Sequence, residues 1–191
     1  MVIGMTRQLS FSNLQSGTSM LEVLVTIVVM SIGLLGLAAL QSQMQKSEVE
    51  SYQRAQALIL LNDMASRIAS NRYGVADYIT GSPLGTGMTC PTTTATQQQR
   101  DTGEWCNALQ GAAELSGTTR VGAMSGARGC IESIGASSYM VTVAWEGLSA
   151  ITAPPDSVAC GLNLYNGTGS SPCTDDKCRR AITTIIRLPT L

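Results

Sequence analysis

From Val23 to Leu40 the chain passes through eighteen residues without a charge, VLVTIVVMSIGLLGLAAL. A helix of that length, at ~1.5 Å per residue, is roughly 27 Å long, close to the hydrocarbon thickness of a bilayer. The pattern therefore predicts a membrane-spanning helix, with a buried core helix as the alternative. No proline occurs before Pro83, and Gln41 to Asn71 is rich in helix formers, so a single helix is expected over residues 18–71. In its second half Leu58, Leu61, Ala65 and Ile68 follow helical spacing and predict an apolar stripe, with Lys46, Glu50, Arg54 and Arg67 at solvated positions.

Past Asn71 the pattern changes. SYMVTVAWEG alternates with Tyr139, Val141, Val143 and Trp145 on one face. In RRAITTIIRL, Ile182, Thr184, Ile186 and Leu188 share a face opposite Ile185 and Arg187, and CIESI from Cys130 adds a short third strand. The segment CPTTTATQQQRDTGEWC reads as a long exposed loop tied by a disulfide, and the proline- and glycine-rich stretch from Ala153 to Cys178 as a second loop. The expected fold class is α+β: a long N-terminal helix, membrane-spanning in its first half, packed on a small antiparallel sheet domain with disulfide-tied loops. The corresponding divisions are 1–17, 18–40, 41–71 and 72–191.

Composition narrows the chemistry. The formal net charge is -1 and histidine is absent, so there is no general basic character for a polyanion, and Ser-His or Cys-His catalysis and histidine metal ligation are excluded. No spaced set of Ser, Asp and Lys suggests a nucleophile with its base, and no cofactor or catalytic residue is expected. All six cysteines, Cys90, Cys106, Cys130, Cys160, Cys173 and Cys178, lie beyond residue 89. An even, segregated set points to disulfides made in an oxidising compartment; a zinc site would want tighter pairs than Cys173-x4-Cys178. Cys173 could close locally on Cys178, and Cys160 or Cys178 could return to Cys130; spacing does not choose among the pairings.

Several smaller patterns have bland readings. Asn166, Gly167 and Thr168 match a glycosylation sequon that also reads as a turn. Asp175, Asp176 and Lys177 read as a solvated charged turn. The adjacent Arg179 and Arg180 could meet phosphates, although Asp175 and Asp176 blunt that field and nucleic acid is not an expected partner. Gly33 and Gly36 interrupt the apolar run without forming G-x-x-x-G.

The order of features at the N-terminus is distinctive. A secretory signal carries its apolar region before the cleavage site and loses it. Here the candidate processing residue, Gly17, precedes the run, so a cut would keep the anchor and create a new amine on Thr18. Gly17, Thr18, Ser19, Met20, Leu21, Glu22 followed by the apolar helix resembles the processing motif of the type IV pilins and related pseudopilins. The resemblance covers about residues 10–70. The anchor, the strand ending AWEG and the CRR ahead of the last strand are most similar to PilV-type minor pilins.

That resemblance implies a type IV pilin-like fold. It also implies cleavage after Gly17 by a membrane-embedded prepilin peptidase, which then methylates Thr18. The partners implied are other minor pilins, the major pilin and the inner-membrane assembly platform. The chain would cross the inner membrane once, with its C-terminal domain periplasmic, and end in a cell-surface pilus. Its role would be to help start assembly, at or near the tip. A carboxylate within a bilayer costs about 2.5–3.5 kcal/mol, less near the interface, so Glu22 calls for a partner. The Thr18 amine lies four residues away on the same helical face, in the same chain or, as the resemblance favours, in a neighbouring subunit. A snorkelling acid is the alternative. Other readings of the whole are a pseudopilin of a type II secretion system, an adhesive or DNA-binding tip module, and an anchored periplasmic domain without a fibre.

Overall fold

The structure, a computed structural model, describes residues 18–112, 115–117, 119–120 and 124–188. Helix α1 spans Thr18–Ser70 and a 3-10 helix follows at Arg72–Tyr78. The remaining elements are β1 (Leu84–Gly85), α2 (Gln97–Leu109), β2 (Leu115–Ser116), β3 (Thr119–Arg120), β4 (Arg128–Gly135), β5 (Ser138–Glu146) and β6 (Arg179–Arg187). Two compact units divide the chain between Gln45 and Lys46.

In the first unit the described residues are all helix and, from Ser19 on, all exposed. The segment is apolar around its whole circumference: Val23, Leu24, Val25, Ile27, Val28 and Val29 are each exposed. A helix apolar on every side is one whose surroundings are apolar on every side. Its only hydroxyls between Val23 and Leu40 are turned inward, Thr26 donating to the Val23 carbonyl at 2.8 Å and Ser31 to the Ile27 carbonyl at 2.7 Å. Among the described residues this is the one helix long and apolar enough to cross a membrane.

In the second unit, β1, β4, β5 and β6 form one antiparallel sheet in that order, and β2 pairs with β3 separately. Val141, Val143 and Trp145 of β5 and Ile131 of β4 turn one face inward onto Ala57, Leu61, Met64 and Ile68 of α1, with Ile182 and Ile186 of β6 alongside. Register explains the grouping, since Ile131 lies opposite Val141, and Val143 opposite Ile182. Each fully buried aliphatic side chain contributes about 1.5–3 kcal/mol, so this interior face is the main reason the helix stays on the sheet.

The stripe on α1 differs from the one expected. Leu58 is exposed and Ala65 half-buried, while Gln53, Ala57, Leu61, Met64 and Ile68 face the core. Spacings of four, four, three and four keep those five on one face, and the large side chain of Leu58 falls a third of a turn from Ala57.

The disulfide-tied loop at Cys90 to Cys106 holds a helix. Thr96 and Gln99 form a reciprocal capping box, the Thr96 hydroxyl accepting from the Gln99 amide and the Gln99 side chain accepting from the Thr96 amide. From there Asp101, Trp105 and Leu109 recur every fourth residue and are buried together with Cys106. The threonine-rich lead-in belongs to the cap and the Gln run to the first turn of α2. The indole of Trp105 packs on β4 at Gly129, and its Nε1 donates to the Leu60 carbonyl of α1 at 2.9 Å.

Candidate functional site

Three disulfides hold the sheet domain: Cys90 with Cys106, Cys130 with Cys160, and Cys173 with Cys178. The first fastens α2 to the irregular segment that leads into it. The second pins the loop after β5 to the outer face of β4, where Cys130, Cys160, Ala144 and Tyr165 form a small second core. The third closes a short turn before β6. Among the described residues no set of three His, Cys, Asp or Glu could hold a metal ion.

The loop between β5 and β6 is organised by Asp176. Its two carboxylate oxygens accept from the Asn163 amide at 2.9 and 3.1 Å, and its own amide donates to Asn166 Oδ1 at 2.8 Å. Arg179 Nε stands 3.2 Å from the same carboxylate, at ion-pair distance without hydrogen-bond alignment, while Nη1 donates to the carbonyls of Val158 and Cys160. Both Asp176 and Arg179 are buried. This corrects the reading of Asp175 to Lys177 as solvated throughout: only the outer pair is, with Lys177 Nζ 3.7 Å from Asp175. The polar backbone of a long loop needs internal partners once it covers a sheet, and a buried carboxylate supplies several acceptor positions at once.

Arg179 and Arg180 are likewise committed internally. Arg180 Nη2 lies 3.2 Å from Glu50 of α1 and 2.8 Å from the Ser149 carbonyl. Neither guanidinium is free to meet a phosphate. Asn166 uses its side chain within the loop, its amide nitrogen reaching Asn163 at 3.4 Å.

Where α1, α2 and the 3-10 helix meet, Arg67 contacts three carboxylates: Asp63 at 3.0 Å, Asp101 at 3.0 Å and Glu104 at 2.6 Å. Asp101, only 2% exposed, also accepts from Gln97 at 2.8 Å and from the Tyr78 hydroxyl. Partial burial works to lower the Arg67 pKa, but the hydrogen bonds to Glu104, Asp63 and Asp101 outweigh it and hold the guanidinium above its ordinary range. Burial first, and the Asp101 hydrogen bond second, push the Tyr78 phenol up to about 12. The structure corrects the expectation of a solvated Arg67, and the signal in the sequence for its real role is Asp63 one helical turn before it.

Of the residues assigned to processing and assembly, Gly17 lies outside the described residues and Thr18 is the first residue of α1. Glu22 sits one turn further on, exposed, with no hydrogen bond or ion pair to any described residue. Gly33 and Gly36 face open space within the chain, where an added Cβ would meet nothing within 4 Å. Comparison with family models, with curated proteins and with solved structures finds no match.

Proposed function

We propose that this chain is a minor pilin, a non-enzymatic subunit of a type IV pilus that helps start assembly at or near the tip. The observation that carries the reading is α1. Its first part is apolar on every side and interrupted by one carboxylate, Glu22; its last part carries the core of a disulfide-stapled sheet domain. Such a helix suits two successive environments, a bilayer and then a bundle of similar apolar spans in a fibre core. Gly17 ahead of it supplies the cut that keeps the anchor, and the prepilin peptidase is the expected enzyme.

Glu22 gives assembly a direction. The acid has no partner among the described residues, and the amine created at Thr18 of a neighbouring subunit neutralises it in the apolar interior, where a pair is stabilised far more than in water. The disulfides fit an exported domain. The chain starts in the inner membrane with its sheet domain in the periplasm and passes into the surface fibre with other minor pilins and the major pilin. Deleting the chain tests this: surface pili and twitching are lost. Intact pili with lost secretion of folded proteins would instead indicate a pseudopilin.

A further inference from the structure

The sheet ends on β6, and that edge has no partner among the described residues. Leu188 donates to the Ser137 carbonyl at 2.9 Å, and the register of β5 and β6 continues that pairing. It follows that Arg180, Ile182, Thr184 and Ile186 turn their N–H and C=O groups to β5. Ala181, Thr183, Ile185 and Arg187 turn theirs outward.

The opposite edge of the sheet is closed. β4 is covered by β1, and beyond it Thr80 donates its amide to the Ile131 carbonyl at 3.0 Å and accepts the Ile131 amide on its hydroxyl at 3.0 Å. Among the described residues no such cover lies on β6. Two of the usual defences of an exposed edge are missing from it: there is no proline from Arg179 to Arg187, and its pairing with β5 shows no bulge. Ile185 on this edge is 52% exposed, and Arg187 has no ion pair with a described residue.

We propose that the β6 edge is a docking site for an extended strand donated by a different chain, added to the sheet through the backbone groups of Ala181, Thr183, Ile185 and Arg187. The free ladder calls for an extended backbone and for nothing else. The side chains then set the donor's character: an apolar or β-branched residue beside Ile185 and an acid beside Arg187.

A second copy of this chain is a poor donor. The other edge strand it offers, β1, is two residues long. Pairing β6 with β6 antiparallel requires a two-fold axis perpendicular to the sheet, which reverses the helices lying on it. Subunits inserted in one membrane by the same end do not adopt that arrangement. The inference therefore rests on the proposed assembly reading for its choice of donor, a neighbouring non-identical subunit.

A benzophenone side chain placed at Ile185 of the full-length chain, in the cell that makes it, tests the edge. The expected result is a light-dependent adduct with another chain, mapping to an extended segment, absent when the same probe stands at Ser133. The adduct is lost in Thr183→Pro, which removes only an outward N–H, and kept in Thr183→Ala. With the probe moved to Arg187, Ile185→Lys lowers the yield without touching the backbone. An adduct no stronger than at Ser133, one formed with a second copy of this chain, or one that persists in Thr183→Pro overturns the proposal. Recovery of the chain from fibres is scored separately, so failure of the edge and failure of the assembly reading give different results.

Discussion

Arg67 of α1 donates to Asp101 of α2 across 3.0 Å, while the phenol of Tyr78 donates to the other oxygen of the same buried carboxylate. One acid thus joins three elements: the end of the long helix, the 3-10 helix after it and α2. The arrangement stabilises the domain only while the phenol keeps its proton.

That condition sets a pH dependence. The Tyr78 pKa rises from 10.0 to about 12 on folding, chiefly through burial. A group whose pKa is raised contributes stability that is full below the unfolded value and lost as pH climbs through the folded one. Thermal unfolding in detergent is expected to show a loss of stability between pH 10 and about 12 that Tyr78→Phe removes. At neutral pH the same substitution costs about 1.5–3 kcal/mol, the range for a hydrogen bond to a charged acceptor.

Gly129 marks a close approach of α2 to the sheet. A Cβ there would stand 2.3 Å from Cη2 of Trp105 and 2.8 Å from Cδ1 of Leu109. Both are fully buried ring or branch atoms with no room to retreat. Gly129→Ala is expected to destabilise the domain by about 1–3 kcal/mol or more, read as a lowered melting temperature.

The disulfides differ in what they constrain. Cys130 and Cys160 are 30 residues apart, whereas Cys173 and Cys178 are 5 apart. On loop-closure entropy, removing the first by paired serine substitution costs about 4 kcal/mol and removing the second about 2 kcal/mol. Denaturant midpoints of the two double variants check the order; equal losses would mean that folded-state contacts, not chain entropy, dominate.

Glu22→Gln keeps the shape of the side chain and removes its charge. Cleavage after Gly17 is expected to proceed, because the residue before the cut is untouched, while recovery of the chain in fibres falls severalfold. Normal recovery would remove the proposed pairing with the Thr18 amine.

The parts of this molecule legible in its sequence are those with a strong period. Eighteen uncharged residues and an absence of proline give α1, and the alternation in SYMVTVAWE and RRAITTIIR gives β5 and β6 with their faces correctly assigned. α2 was hidden because its cap is threonine-rich and its buried positions, Asp101, Trp105, Cys106 and Leu109, include an acid. The side-chain cluster at Arg67 and the one at Asp176 were hidden for a related reason. The deciding partners lie 34 residues away in one case and in a folded loop in the other, and local pattern records only the i,i+4 pair of Asp63 with Arg67. The Cys130–Cys160 pairing follows from the β5–β6 loop lying over β4, where Tyr165 and Ala144 pack with it, and cysteine spacing alone does not choose it. Gly17 and Glu22 stand out by their order relative to the apolar run.

The central claim is that cutting the chain after Gly17 exposes an amine beside an apolar span holding a single acid, and that the cut form is the one built into fibres. The mass of its N-terminal peptide, taken from fibres sheared off the cell surface, tests this most directly. The account predicts a chain that begins at Thr18 with a methylated amine. Fibre-borne protein that still begins at Met1, or fibres that lack the chain altogether, would contradict it.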